Sequence, residues 1–181
     1  MGARTLVPEA SDLVKLIREV PDFPKPGILF RDITPLLQDA AGLALAVELL
    51  TAPYRGRQID VVVGAESRGF IFGSAVARNL SAGFVPIRKS GKLPAEKRSV
   101  TYELEYGTDT LEIHADAVRA GQRVLMVDDL LATGGTMLAC CSLVEQLGGK
   151  IVGVAFLIEL ADLEGRGKLE KWDVFSVLSY E

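Results

Sequence analysis

Cysteine and histidine are scarce: among 181 residues there are two Cys and one His. The two cysteines, Cys140 and Cys141, are neighbours inside a helical pattern. Side chains adjacent on a helix diverge by roughly 100°, which excludes an ordinary disulfide between them and a CxxC metal site and leaves buried packing. His114 has no partner motif and reads as a surface residue of a returning strand. Long apolar runs are missing too, and none approaches the ~18 residues of a membrane span. No basic region followed by an apolar core stands at the N-terminus, so a cytoplasmic setting without a membrane partner is expected. Positive charge is in deficit, with 20 Lys+Arg against 24 Asp+Glu and a net charge of −4. That balance argues against a nucleic-acid surface. An anionic ligand therefore has to be met by a local cluster of cations.

The hydrophobic share of 49% and the charged share of 24% are those of a globular protein, and the length suits a single domain over residues 1–181. Strands alternating with helices predict an α/β fold whose central sheet is mainly parallel and flanked by helices. Its most informative stretch runs from Arg123 to Thr136. Residues 123–127 are mostly branched or apolar and read as a buried strand. Asp128 and Asp129 stand where that strand should emerge, then Ala132-Thr133-Gly134-Gly135-Thr136 lead into a helix reaching Leu147. Glycines let the backbone approach an anion, threonine hydroxyls donate, and a helix N-terminus adds positive dipole, so this loop suits a phosphate. Two carboxylates beside it suit neutral hydroxyls or a developing cation. Together they describe a sugar phosphate. The plainer alternative is a strand-to-helix connection with two solvated acids.

Other segments point to the same sheet edge. A short helix is expected over Asp12 to Val20, with Ser11 as its N-cap. Three prolines and Gly27 stop it before the extended piece from Ile28 to Pro35. Another helix follows over about Ala40 to Leu50. A strand at 59–63 ends in Gly64-Ala65-Glu66-Ser67-Arg68-Gly69. This imitates a P-loop, but Phe70 and Ile71 replace the required Lys and Ser/Thr. What remains is a tight turn offering Arg68 at a strand's carboxyl end, where open α/β sheets bind ligands. Phe84 to Ile87 form a third strand, followed by Arg88, Lys89 and Lys92. These are either a solvated turn or the positive charge that a leaving pyrophosphate needs. Alternation from Val100 to His114, broken at Gly107-Thr108-Asp109, predicts a hairpin that reads as a lid. The residues alone leave Glu103 and Glu105 open as its catalytic acid or base. Later strands are expected at 151–158 and 174–178, with a charged connection over 159–170 between them.

The run Val127 to Thr136 resembles the phosphoribosyl pyrophosphate (PRPP) signature of type I phosphoribosyltransferases. Phe23-Pro24-x-Pro26-Gly27-Ile28-Leu29-Phe30-Arg31-Asp32-Ile33 and Leu104-Glu105-Tyr106-Gly107 narrow the resemblance to the adenine phosphoribosyltransferases, over nearly the whole chain. The resemblance implies the fold of that family, with an N-terminal hood at about 21–35 and a flexible hairpin lid at about 89–114. It implies that adenine and PRPP are converted to AMP and pyrophosphate. Leu29 and Phe30 would line the adenine slot, and the backbone at Leu29 and Arg31 would read the base. Glu66, Ser67 and Arg68 would grip pyrophosphate, with a cis peptide between Glu66 and Ser67. Of the two lid acids the resemblance selects Glu105, with Tyr106 beside it. It further implies Mg2+ carried on PRPP and pyrophosphate without a dedicated protein site, and a homodimer in which Lys89 or Lys92 reaches the neighbouring subunit. Transfer to another base, or a non-catalytic PRPP sensor of the same fold, are the competing expectations.

Overall fold

The computed structural model describes residues 9–103 and 107–181. Its internal contacts divide it into an N-terminal unit up to Leu49 and a larger unit from Leu50 to Glu181.

In the N-terminal unit, α1 (Ala10–Val14), β1 (Arg18–Pro21), β2 (Leu29–Asp32), α2 (Thr34–Gln38) and the start of α3 (Ala40–Thr51) follow in order. The helix expected over Asp12 to Val20 ends at Val14, and its N-cap is Glu9 in place of Ser11. Residues 18–21 instead pair antiparallel with 29–32, Val20 opposite Phe30. The spacing of Leu13, Leu16, Ile17 and Val20 fits a helical face, but backbone pairing across the Pro24-Pro26-Gly27 turn takes its last third into a strand. Phe23 and Phe30 meet edge to face at 5.1 Å, and the Phe23–Pro24 peptide is cis.

The larger unit is a seven-stranded sheet in the order β5-β6-β4-β3-β7-β8-β9. These strands are β3 (Val61–Ala65), β4 (Gly83–Lys89), β5 (Lys97–Glu103), β6 (Thr108–His114), β7 (Arg123–Leu131), β8 (Lys150–Leu160) and β9 (Val174–Tyr180), with α4 (Gly69–Leu80) after β3 and α5 (Gly135–Gln146) after β7. β4, β3, β7, β8 and β9 run parallel. The expected hairpin, β5 with β6, adds the antiparallel edge. The central strands β3 and, over residues 124–127, β7 are buried on both faces, which explains the unbroken Val61-Val62-Val63 and Val124-Leu125-Met126-Val127 runs. Cys140 and Cys141 pack in the core with Met126, Val144 and Phe156. Burial pushes the Cys141 thiol up to about 12, so it is inert at neutral pH.

One boundary and one burial differ from expectation. β7 does not stop at Val127 but continues through both aspartates to Leu131, because β8 keeps pairing with it as far as Leu131 opposite Glu159. His114 is half-buried and not a surface residue, and its Nε2 is enclosed without a hydrogen-bond partner among the described residues. No helix among the described residues is long and apolar enough to cross a membrane.

Candidate functional site

The strand order reverses direction at β3, whose neighbours are β4 on one side and β7 on the other. Chains leaving β3 and β7 therefore diverge to opposite faces, and a crevice opens between their carboxyl ends. A cavity of about 540 Å3 lies there, lined by Glu66, Ser67 and Arg68 after β3 and by residues 128–137 at the end of β7. The structure thus gathers the expected turn residues Glu66, Ser67 and Arg68, both aspartates, and Ala132, Thr133, Gly134, Gly135 and Thr136 around one space.

The acids of β7 are held in an unusual state. Asp129 is 7% exposed, and its carboxylate meets the Arg68 guanidinium at 2.7 Å. Asp128 accepts the Asp129 backbone N–H at 2.9 Å. Burial, and then the Asp129 charge, push the Asp128 carboxyl well above its ordinary value. Burial also raises Asp129, against the opposing pull of Arg68. Two adjacent acids in low dielectric disfavour full ionisation, and a neighbouring cation restores part of it. Such a pair is primed to meet a ligand that offers hydroxyl donors or positive charge.

The phosphate-type loop is formed by the αL residue Gly134, φ +77°, which caps α5. The first turn of a helix presents backbone N–H groups without intrahelical acceptors, and they point toward such a cap. Thr136 Oγ donates to the Tyr102 hydroxyl at 3.3 Å, which ties the loop to the hairpin.

Glu66 gathers the cations of the next turn. Its carboxylate accepts from Arg88 Nε at 3.2 Å and the Lys89 N–H at 3.1 Å, and it pairs with the Lys92 ammonium. The Lys92 bond, ahead of Lys89 and Arg88, holds Glu66 below the ordinary carboxylate range. Arg88 and Lys92 are thereby tied to an acid that lines the cavity. Lys89 Nζ turns to Asp109 at 3.2 Å, within the same chain.

Glu112 escaped the sequence reading. Only 3% exposed, it accepts from Ser90 Oγ at 2.9 Å, the Gly91 N–H at 3.0 Å and Lys97 Nζ at 2.8 Å. One acid thus pins the turn between Lys89 and Lys92. In the sequence it is an acid in an alternating strand, and nothing local distinguishes it from Glu103.

Leu29, Phe30 and Arg31 are on β2 in the N-terminal unit. There Phe30 joins Val20, Phe23 and Asp32 around a cavity of about 270 Å3, Leu29 is exposed, and Arg31 pairs with Glu19. Glu105 and Tyr106 fall outside the described residues. The Glu66–Ser67 peptide is cis, as the resemblance implied.

Comparison with known proteins agrees with this geometry. The family model for the phosphoribosyl transferase domain matches residues 32–179. The adenine phosphoribosyltransferase of Acidobacterium capsulatum is 60% identical over 168 residues, covering 93% of each chain. The crystal structure of the enzyme of that name from Thermoanaerobacter pseudethanolicus superposes with a TM-score of 0.92 at 53% identity, over 94% of this chain and 99% of that one. That of Saccharomyces cerevisiae, complexed with an iminoaltritol bisphosphate and adenine, superposes with a TM-score of 0.88 at 42% identity, over 93% of this chain and 97% of that one. The chain belongs to the phosphoribosyltransferase family, and within it to the adenine phosphoribosyltransferases.

Proposed function

We propose that this enzyme transfers ribose 5-phosphate from PRPP to adenine, giving AMP and pyrophosphate in purine salvage. The observation that carries the reading is the single cavity shared by the Asp128-Asp129 pair, Arg68 and the Ala132–Thr136 loop. A sugar with a terminal phosphate and a pyrophosphate leaving group needs these three elements together.

In the reaction the bond from the anomeric carbon to pyrophosphate breaks, its electron pair leaves with pyrophosphate, and a ring nitrogen of adenine bonds to the same carbon. The ribose becomes cation-like on the way. Asp128 and Asp129 hold the ribose hydroxyls and stabilise that charge more than they stabilise the ground state. Residues 132–136 hold the 5-phosphate. Arg68, Ser67, the cations Arg88 and Lys92 gathered at Glu66, and Lys89 beside them stabilise the departing pyrophosphate. Leu29 and Phe30 line the adenine site and the backbone at Leu29 and Arg31 reads the base edge. Glu105 takes the ring proton that adenine must lose, with Tyr106 beside it on the lid.

Magnesium fits this donor set as a companion of the substrate. Of the three acids lining the cavity, Glu66 is engaged by Arg88 and Lys92 and Asp129 by Arg68, so Asp128 and Asp129 would hold the ion chiefly through the ribose hydroxyls they bind. When bound, it supplies charge neutralisation for pyrophosphate. Two free buried thiols fit a reducing compartment, and the proposed setting is cytoplasmic. The proposed assembly is a homodimer, which sedimentation equilibrium tests directly.

The function is tested by base-dependent pyrophosphate release from PRPP. Adenine is expected to support it, and hypoxanthine, xanthine and orotate are not. Preference for any of the other three would replace this reading with a different salvage reaction.

A further inference from the structure

Residues 161–170, which look like a charged connection in the sequence, fold into two short 3-10 turns, Ala161–Leu163 and Gly165–Leu169. Gly165 is buried between exposed neighbours, and what buries it is the main chain of the phosphate loop. A methyl group at Gly165 would lie 2.0 Å from the Ala132 carbonyl oxygen and 2.8 Å from the Gly134 nitrogen. One at Gly134 would lie 2.4 Å from the Gly165 carbonyl oxygen. Backbone rests on backbone at this point, and no side chain can come between.

Gly165 is held there from both sides. Arg166 donates to both oxygens of Glu159, from Nε at 2.9 Å and Nη2 at 2.5 Å, and from Nη1 to the Val174 carbonyl at 2.7 Å. Leu169 is fully buried in the core. Glu159 is itself the register partner of Leu131, the residue directly before Ala132. The Arg166 fork therefore spans the end of β8 and the start of β9, and anchors the segment beside the strand from which the phosphate loop springs. A planar fork on a carboxylate fixes direction as well as distance.

We propose that Arg166 and Glu159 are positioning residues for the sugar 5-phosphate: their ion pair presses Gly165 against Ala132–Gly134 and so fixes the loop that grips the phosphate. The inference rests on the reading of that loop as the phosphate site. Neither residue touches substrate; both act through Gly165. Loosening the brace widens the loop without altering the acids of β7 or the base site, so the loss falls on phosphate affinity.

The test measures Arg166→Gln by steady-state kinetics and by calorimetric binding of ribose 5-phosphate. Displacement of a binding loop by an ångström or less costs affinity steeply, so KM for PRPP and Kd for ribose 5-phosphate are expected to rise about tenfold or more, with KM for adenine and kcat at saturating PRPP within about threefold. Arg166→Lys, which keeps the charge but loses the fork, is expected to fall between wild type and Arg166→Gln. Should Arg166→Gln fail to fold, Arg166→Lys serves in its place, and ribose 5-phosphate affinity equal to wild type would overturn the proposal. So would Arg166→Gln that melts earlier but binds ribose 5-phosphate normally, or one that weakens adenine and PRPP in equal proportion. A wild-type enzyme that binds no ribose 5-phosphate overturns the phosphate site itself, and the brace with it.

Discussion

The Arg68 guanidinium lies 2.7 Å from the Asp129 carboxylate, joining the turn after β3 to the end of β7 across the sheet's switch point. In the proposed reaction Arg68 grips pyrophosphate and Asp129 holds the sugar. The bond between them sets the two halves of the site against one another before either meets substrate. A ligand that supplies phosphate to the first and hydroxyls to the second exchanges this internal ion pair for one external ion pair and hydrogen bonds to the carboxylate.

Asp129→Asn removes the negative charge on which both halves depend. Turnover is expected to fall about 10²-fold or more, the usual loss of an electrostatic stabiliser in a water-poor site, while circular dichroism stays that of the wild type. Unchanged kcat at saturating substrate would take the acid pair out of the mechanism.

Asp128→Asn should do the opposite to stability. The folded-state value of Asp128 lies above its ordinary 3.8, so below 3.8 the acid is protonated both folded and unfolded and costs nothing. As pH rises from 3.8 toward the folded value, the unfolded chain releases its proton while the folded one keeps it, and stability falls until the folded acid ionises as well. The amide keeps an oxygen for the Asp129 N–H and lacks the buried charge. Its melting temperature is expected to exceed wild type at pH 7, by about 2–4 °C for each kcal/mol recovered, and the advantage should shrink toward pH 4. A lower melting temperature for Asp128→Asn throughout would contradict the raised carboxyl.

Glu112 carries the reverse sign. The Lys97 ammonium, then the Gly91 N–H and the Ser90 hydroxyl, hold it below its ordinary 4.5. Its stabilisation is therefore fully present above 4.5 and is lost as pH falls through the lower folded value. Glu112→Gln is expected to melt below wild type at pH 7, with the gap closing as pH drops below about 4.5. A gap that stays constant across pH would show that the charge on Glu112 is not what pins the turn.

The two candidate acids, Glu103 and Glu105, separate by kinetics. Glu103 is exposed on β5, paired across the hairpin with Thr108. Glu105→Gln is expected to lower the chemical rate about 10²-fold or more, as loss of a general acid or base does, and Glu103→Gln only about threefold. Equal losses in the two variants would cancel the choice of Glu105.

Much of this site was legible in the residues because its key pieces are contiguous. A buried strand, two acids and a Gly-rich turn follow one another between Arg123 and Thr136, and the sheet turns that order into geometry. The Glu66-Ser67-Arg68 turn was legible for the same reason. What stayed hidden depends on partners far away in sequence. The stretch from Arg18 to Val20 continues a helical spacing but becomes part of a strand through pairing with residues 30–32. Asp128 and Asp129 lie inside β7 because β8 continues to pair beyond them. Glu112 looks like any wet-face acid until Ser90, Gly91 and Lys97 converge on it. Gly165 and Arg166 sit in a stretch of mixed charge whose neighbour, the loop at residues 132–134, is some thirty residues earlier.

The most direct measurement is a crystal structure of the enzyme with AMP bound. The 5-phosphate is expected against the backbone of residues 132–136, with the ribose hydroxyls within hydrogen-bond distance of Asp128 and Asp129. A nucleotide seated elsewhere, with that loop touching nothing, would contradict the account.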